Sequence, residues 1–284
     1  MIRLVLSDMD GTLVSYNNTR VTPRGHAAIA RLLDAGVRFG PSSGRDLASL
    51  LELFDGDEKC LRCGLVSNGK RVFLDGEVIH TTYLSPIDIE CLVTVVRDVP
   101  GCYVSVSGDR RRMGDAHAVL GTSSWEFART RWGRYDQSRV VESADFKVVG
   151  AGLFFDPDVT RAAGIDAEAV VSVARVACPN LDFVAPGQDL YDVLPKGWTK
   201  ATGLNILCSA ADIATTDVVA FGDSDNDLAL LEAVGYPVAV RNANEVVRAC
   251  CRYHIGFAEE DAVAGALEVI ARAAERGEEV VDFS

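Results

Sequence analysis

The sequence predicts an α/β fold: a Rossmann-like, mostly parallel open sheet with helices on both faces, interrupted by an inserted α+β domain. Three observations carry this. Short apolar runs alternate with helix-periodic segments at the N-terminal end. The same grammar returns at the C-terminal end, and the middle of the chain loses it.

The elements follow in order. Residues 2–7 (IRLVLS) form a continuous apolar run, which suits a strand buried on both faces of a parallel sheet. Residues 24–35 place Ala27, Ile29, Ala30, Leu32, Leu33 and Ala35 at helical spacing, and Gly36 ends the pattern. Val37 to Phe39 is a second strand, Leu47 to Phe54 a helix, and Leu65-Val66 a third short strand before Asn68-Gly69. Toward the C-terminus, Val218 to Phe221 and Val238 to Val240 read as strands. Leu228 to Ala233, Asn244 to Cys251 and Asp261 to Ala274 read as helices, with Asp261 placed to cap the last. In between, strand-like stretches (Cys102 to Ser107, Lys147 to Phe155, Asp182 to Val184) mix with helix-like ones (Asp88 to Val96, Asp158 to Val173). The expected division is a core of residues 1–82 and 192–284 around an inserted domain of residues 83–191.

Composition narrows the function. A chain of 284 residues suggests about two domains, and 48% apolar residues supply their cores. The formal charge of -13 argues against nucleic acid or an anionic membrane surface as partner. The one basic cluster, Arg110-Arg111-Arg112, sits beside Asp109 and Asp115 and is too short to reverse that. The eight cysteines have no regular spacing: Cys60 and Cys63 form a lone C-x-x-C, and Cys250 and Cys251 are adjacent. A zinc site wants a second pair or histidines close by, so free thiols in a reducing cytosol are expected. The apolar run Ile2 to Leu6 is too short for a signal peptide or a membrane span. The expectation is a soluble cytoplasmic protein, monomeric or a small homo-oligomer.

Four segments carry chemistry. Asp8-Met9-Asp10-Gly11-Thr12 follows the first buried strand, where open α/β sheets build their sites. Residues two apart on an extended backbone point to one side, so Asp8 and Asp10 can converge. Two such carboxylates repel unless a cation or proton lies between them; one can bind metal and attack while the other handles a proton. Asp223-Ser224-Asp225-Asn226-Asp227 follows the strand ending at Phe221 and adds carboxylates of the kind a hard divalent cation takes, although part of it also suits a helix cap. Ser42-Ser43-Gly44-Arg45 offers a hydroxyl and main-chain amides for a phosphate. Lys196-Gly197-Trp198-Thr199-Lys200 offers a lysine to neutralise a phosphoryl group.

In this order the four segments resemble those of the haloacid-dehalogenase-like phosphatases, and most closely the Cof-like subclass (IIB), whose cap lies between the second and third motifs. The resemblance covers essentially the whole chain. Asp8 to Leu13 resembles the first motif, Ser43-Gly44-Arg45 the second, Pro195 to Lys200 the third and Gly222 to Asp227 the fourth. Ser67-Asn68-Gly69 is similar to the turn before the cap, and Arg241 to Asn244 to the turn after the fourth motif. Departures are small: Ser43 stands where threonine is usual, Ala201 where glycine often follows the catalytic lysine, and Leu230 where methionine is common.

The resemblance implies a Mg2+-dependent phosphatase acting on small phosphorylated metabolites, sugar phosphates first, through an aspartyl-phosphate on Asp8. It implies Asp8, Asp10, Ser43 and Lys200 as the catalytic set. Asp8, Asp10, Asp223 and Asp227 would serve the metal, with the main-chain carbonyl of Asp10. Thr12, Gly44, Arg45, Asn68 and Asn226 would contact substrate. Asp10 separates the chain from the dehalogenases. The inserted domain would close over the core and select the leaving group, with Arg110, Arg111, Arg112, Trp125, Arg129 and Trp132 as candidate contacts. His26, His80, His117 and His254 match no motif. Two alternatives stand beside this: a phosphomutase of the phosphomannomutase type, and a non-catalytic sugar-phosphate-binding regulator.

Overall fold

The computed structural model describes residues 1–109, 115–121, 141, 143–187, 189–278 and 283. The expected cap contacts Arg110, Arg111, Arg112, Trp125, Arg129 and Trp132 lie outside these residues.

The chain divides into two compact units, Met1–Thr81 with Thr199–Ser284, and Thr82–Trp198. The first contains β1 (Leu4–Ser7), α1 (Pro23–Asp34), β2 (Arg38–Pro41), α2 (Leu47–Leu53), β3 (Gly64–Val66), β4 (Arg71–Leu74) and β5 (Glu77–Thr81). The second contains α3 (Pro86–Val96), β6 (Cys102–Asp109), β7 (Asp115–Leu120), β8 (Lys147–Phe155), α4 (Pro157–Ala163), α5 (Ala167–Ala177), β9 (Leu181–Gly187) and β10 (Leu190–Pro195). The chain then returns to the first unit with α6 (Lys200–Ala211), β11 (Val218–Gly222), α7 (Leu228–Ala233), β12 (Tyr236–Ala239), α8 (Glu245–Cys250), β13 (Tyr253–His254) and α9 (Ala262–Arg276).

Residues 192–198, expected in the core, thus stay with the inserted unit. The reason is continuity of pairing: β10 runs on to Pro195, which still lies opposite Leu181 of β9.

In the first unit the strand order is β13-β12-β11-β1-β2, all parallel. Every residue of β1 and β11 is buried, as a strand covered on both faces requires. A bridge from Ser42 to Leu65 carries the pairing on to β3, which opens the antiparallel ribbon β3-β4-β5. Asp75-Gly76, both at positive φ, turns β4 into β5. Helix α1 starts at Thr22, whose hydroxyl accepts from the Gly25 amide, with Pro23 in the first turn. It buries Ala28, Ile29 and Leu32 and packs beside α9, which buries Leu267, Ile270 and Ala271. Arg24–Glu268 and Arg31–Glu275 link the two helices at the surface, where solvent screens them.

The second unit is built on the antiparallel sheet β7-β6-β8-β10-β9. Leu92 and Val96 of α3 and Val171 of α5 share a core with Val104, Leu153, Phe155 and Val193 of that sheet. A separate cluster stacks Tyr103 on Phe154, with ring centroids 5.3 Å apart.

Two local expectations need correction. Asp158 to Val173 is two helices rather than one: Gly164, at φ 66°, ends α4 in the left-handed region, and Asp166 caps α5 by accepting from the Glu168 amide. Asp261 does not cap α9 with its side chain; its carboxylate accepts from the Thr22 hydroxyl at 2.8 Å and so ties the starts of α1 and α9 together. Among the described residues, no helix is long and apolar enough to cross a membrane.

Candidate active site

Because β1 lies between β2 and β11, the loops leaving the carboxyl ends of these three strands are neighbours. The parallel pairing runs on into the loops themselves: the Asp8 amide donates to Phe221 O at 2.9 Å and the Ser42 amide to Ser7 O at 2.8 Å. Asp8, Ser43 and Asp223 are brought together by these short connections. Lys200 joins them as the first residue of α6, and it is buried (1% exposed).

The Lys200 ammonium is the hub. Its Nζ donates to Asp8 Oδ1 at 2.8 Å, to Asp227 Oδ1 at 2.6 Å and to the Ser42 carbonyl at 2.8 Å. Burial alone would lower the lysine's pKa, but the carboxylates of Asp227 and Asp8 outweigh it and hold the ammonium well above its ordinary value. Asp8 is pushed up by burial; Lys200 opposes that, and the charges of Asp227 and Asp223 add to it. Asp223 is pushed up to about 6, first by burial and then by Asp227.

Asp8, Asp223 and Asp227 offer oxygens that all lie within 4.8 Å of one another, and Lys200 sets one positive charge against these three carboxylates. An all-oxygen cluster with a surplus of negative charge fits a hard divalent cation. Within the cluster the members differ. Both Asp227 oxygens are committed, Oδ1 to Lys200 and Oδ2 to the amides of Asp223 (3.1 Å) and Ser224 (3.3 Å). Asp227 therefore anchors the lysine and the loop. Asp10 is outside the cluster: the Arg45 guanidinium grips both its carboxylate oxygens at 2.7 Å.

The remaining expected residues are placed as follows. Thr12 Oγ1 donates to Asp223 Oδ1 at 3.2 Å, so it orients that carboxylate. Ser43 accepts from the Arg45 amide through Oγ at 3.2 Å, and its carbonyl accepts from the Asn68 amide at 2.8 Å. Asn68 is buried in a turn at positive φ, which stitches the Ser43-Gly44-Arg45 loop to the end of β3. Asn226 accepts from the Ser224 hydroxyl at 2.9 Å.

Two participants were missed by sequence reasoning. Tyr16 donates its hydroxyl to Asp223 Oδ2 at 3.2 Å. Gly11, at φ 83°, makes room for this: a Cβ there would meet Asp223 Oδ2 at 2.5 Å and the Tyr16 hydroxyl at 2.6 Å. Asn242 donates to the Gly11 carbonyl at 2.7 Å and accepts from the Ala258 amide at 3.0 Å, holding the same turn from outside. Nothing in the sequence marks Tyr16. Asn242 sits in the Arg241 to Asn244 turn that resembles its family counterpart, which was the available signal.

A family model described as haloacid dehalogenase-like hydrolase matches residues 5–267. The 5-amino-6-(5-phospho-D-ribitylamino)uracil phosphatase YbjI of Escherichia coli is 27% identical over 277 residues, covering 95% of each chain. A phosphoglycolate phosphatase of Methanopyrus kandleri is 28% identical over 253 residues, covering 87% of this chain and 88% of its own. In fold, the chain matches a sugar phosphatase of haloacid dehalogenase subclass IIB with a TM-score of 0.76 and 20% identity, over 94% of this chain and 98% of the other. With the Asp8 loop, the buried lysine and the acidic cluster in one place, the chain belongs to the haloacid dehalogenase-like hydrolase family, as a Cof-like phosphatase.

Proposed function

We propose that the chain hydrolyses phosphate monoesters of small hydroxylated metabolites, sugar phosphates first among them, through an aspartyl-phosphate on Asp8 with Mg2+ as cofactor. The observation that carries the reading is the buried Lys200 ammonium, 2.8 Å from Asp8 Oδ1 and anchored on Asp227. Phosphoryl transfer rests on positioning and charge neutralisation, and this arrangement supplies both.

A carboxylate of Asp8 attacks phosphorus in line, and the bond from phosphorus to the leaving alcohol oxygen breaks. Lys200 favours the ionised, attacking form of Asp8 against the effect of burial. Asp10 gives its proton to the leaving alkoxide, then takes one from the water that attacks the aspartyl-phosphate and releases phosphate. Because Arg45 occupies both Asp10 oxygens, that pair must open before Asp10 can reach a leaving group. Ser43 and the neighbouring amides suit the phosphate oxygens. Asp8, Asp223 and the main-chain carbonyl of Asp10 would hold the Mg2+, which supplies charge neutralisation at the phosphoryl oxygens. Thr12 and Tyr16 keep Asp223 turned inward.

The substrate class rests on the relatives, whose names give small phosphorylated metabolites as substrates. The test is hydrolysis of p-nitrophenyl phosphate by wild type and Asp8→Asn, with Mg2+ and with EDTA. Release that needs the metal and disappears in Asp8→Asn is expected. Turnover surviving in Asp8→Asn would remove the nucleophile and with it the mechanism.

A further inference from the structure

Outside the active site, the first unit gathers a second set of metal-ligating side chains. His26 lies on α1, whereas Asp57 and Cys60 lie in the 3-10 turn Glu58–Leu61 and its cap, after α2. The segments are neighbours because the Val21 amide donates to the Leu53 carbonyl at 2.8 Å. One donor atom from each of His26, Asp57 and Cys60 lies within 4.8 Å of the other two. Cys60, half of the C-x-x-C that looked isolated in the sequence, thus has a histidine beside it, brought from α1.

The individual groups are poorly satisfied as they stand. The His26 ring meets Phe54 edge-on, with centroids 6.2 Å apart, and its Nε2 is shielded from solvent without a hydrogen-bond partner. Its nearest carboxylate contact there is Asp55 Oδ2, at 3.8 Å. A buried ring nitrogen left this way calls for an explanation. Cys60 is 2% exposed and its thiol reaches Asp57 Oδ2 only at 3.9 Å. Burial, and then Asp57, push that thiol up to about 12, so without a cation it keeps its proton. Asp55 also pairs with Arg20, and Asp57 Oδ1 accepts from the Lys59 amide, which leaves Asp57 Oδ2 turned toward the thiol.

We propose that His26, Asp57 and Cys60 form a binding site for a borderline-soft divalent cation of the Zn2+ kind. Nitrogen, thiolate and carboxylate together suit Zn2+ and Co2+, whereas Mg2+ does not take a thiolate. Tetrahedral Zn2+ sets its donors about 3.5 Å apart, so the three donors, now within 4.8 Å of one another, draw together on binding. Binding converts the Cys60 thiol to a thiolate and releases its proton to solvent, and the fourth position falls to Asp55 or water. The ion ties α1 to the turn after α2, so it acts as a staple of the core unit, with ligands separate from those of the phosphatase chemistry.

The probe is Co2+, titrated into the full chain after EDTA treatment and dialysis, with Mg2+ present to fill the oxygen site. The expected result is a thiolate-to-cobalt charge-transfer band that saturates at one ion per chain. Zn2+ should abolish the band and raise Tm. The band should persist in Asp8→Asn and in Cys63→Ser and be lost in Cys60→Ser. In His26→Gln, which leaves the buried thiol alone and so guards against a folding defect, affinity should fall at least tenfold. Absence of the band from wild type, its survival in Cys60→Ser, or unchanged affinity in His26→Gln would each overturn the proposal.

Discussion

Replacing Lys200 by methionine keeps the apolar stem of the side chain and removes only its charged end. That end meets Asp8, Asp227 and the Ser42 carbonyl at 2.8, 2.6 and 2.8 Å, in a site closed to solvent. Without it, two buried carboxylates face each other and a buried carbonyl loses its donor. Removing one partner of a buried ion pair costs about 3–5 kcal/mol. Asp8 is already pushed up by burial, so it takes a proton in the variant and recovers part of the loss; the lower end, about 3 kcal/mol, is expected. For a unit of this size that lowers Tm by roughly 6–12 °C. Turnover should fall by at least about 10²-fold, the scale of removing one preorganised charge from a phosphoryl or oxyanion site. The assays are thermal unfolding of metal-free protein near neutral pH and p-nitrophenyl phosphate hydrolysis. A Tm within about 2 °C of wild type would mean that the ammonium is not compensating buried charge, and would refute the electrostatic account of the site.

Three further outcomes follow from neighbouring residues. Asp223 is held at about 6 in the folded protein against its ordinary 3.8, so the folded state binds that proton more tightly. The stability this lends is full below about pH 4 and lost as pH rises through about 6; denaturant titrations of EDTA-treated protein should show the decline, and Asp223→Asn should flatten it. Gly11→Ala puts a methyl group 2.5 Å from Asp223 Oδ2 at φ 83°. A left-handed residue costs about 1–2 kcal/mol before any clash, and Mg2+-dependent turnover should drop at least about tenfold; wild-type kinetics would show that the turn adjusts freely. Arg45→Ala frees Asp10 from its bidentate partner, so kcat should hold or rise while KM rises. A large fall in kcat alone would instead make Arg45 part of the transition-state machinery.

The parts of this molecule that could be read from sequence are those where local pattern and tertiary role coincide. The runs at β1 and β11 are buried on both faces and therefore apolar throughout, which makes the strands and the loops after them recognisable. Asp8, Lys200 and Asp223 sit at the ends or starts of such elements, so their motifs survive as contiguous words. What escaped was long-range or backbone-encoded. Tyr16 reaches Asp223 across 207 positions, and His26 meets Cys60 only through the packing of α1 against the turn after α2. The hairpin β4-β5 carried a signal in Asp75-Gly76 that went unread. The break at Gly164 was hidden because apolar residues at helical spacing continue on both sides of it.

The central claim is that Asp8 carries the phosphoryl group. Wild-type enzyme turning over p-nitrophenyl phosphate with Mg2+ is quenched in acid, reduced with borohydride and digested for peptide mass spectrometry. Borohydride reduces an acyl phosphate to the alcohol, so homoserine at position 8, absent from Asp8→Asn and from enzyme without substrate, is the predicted result. Homoserine at position 10 or 223, with Asp8 intact while the enzyme turns over, would contradict it.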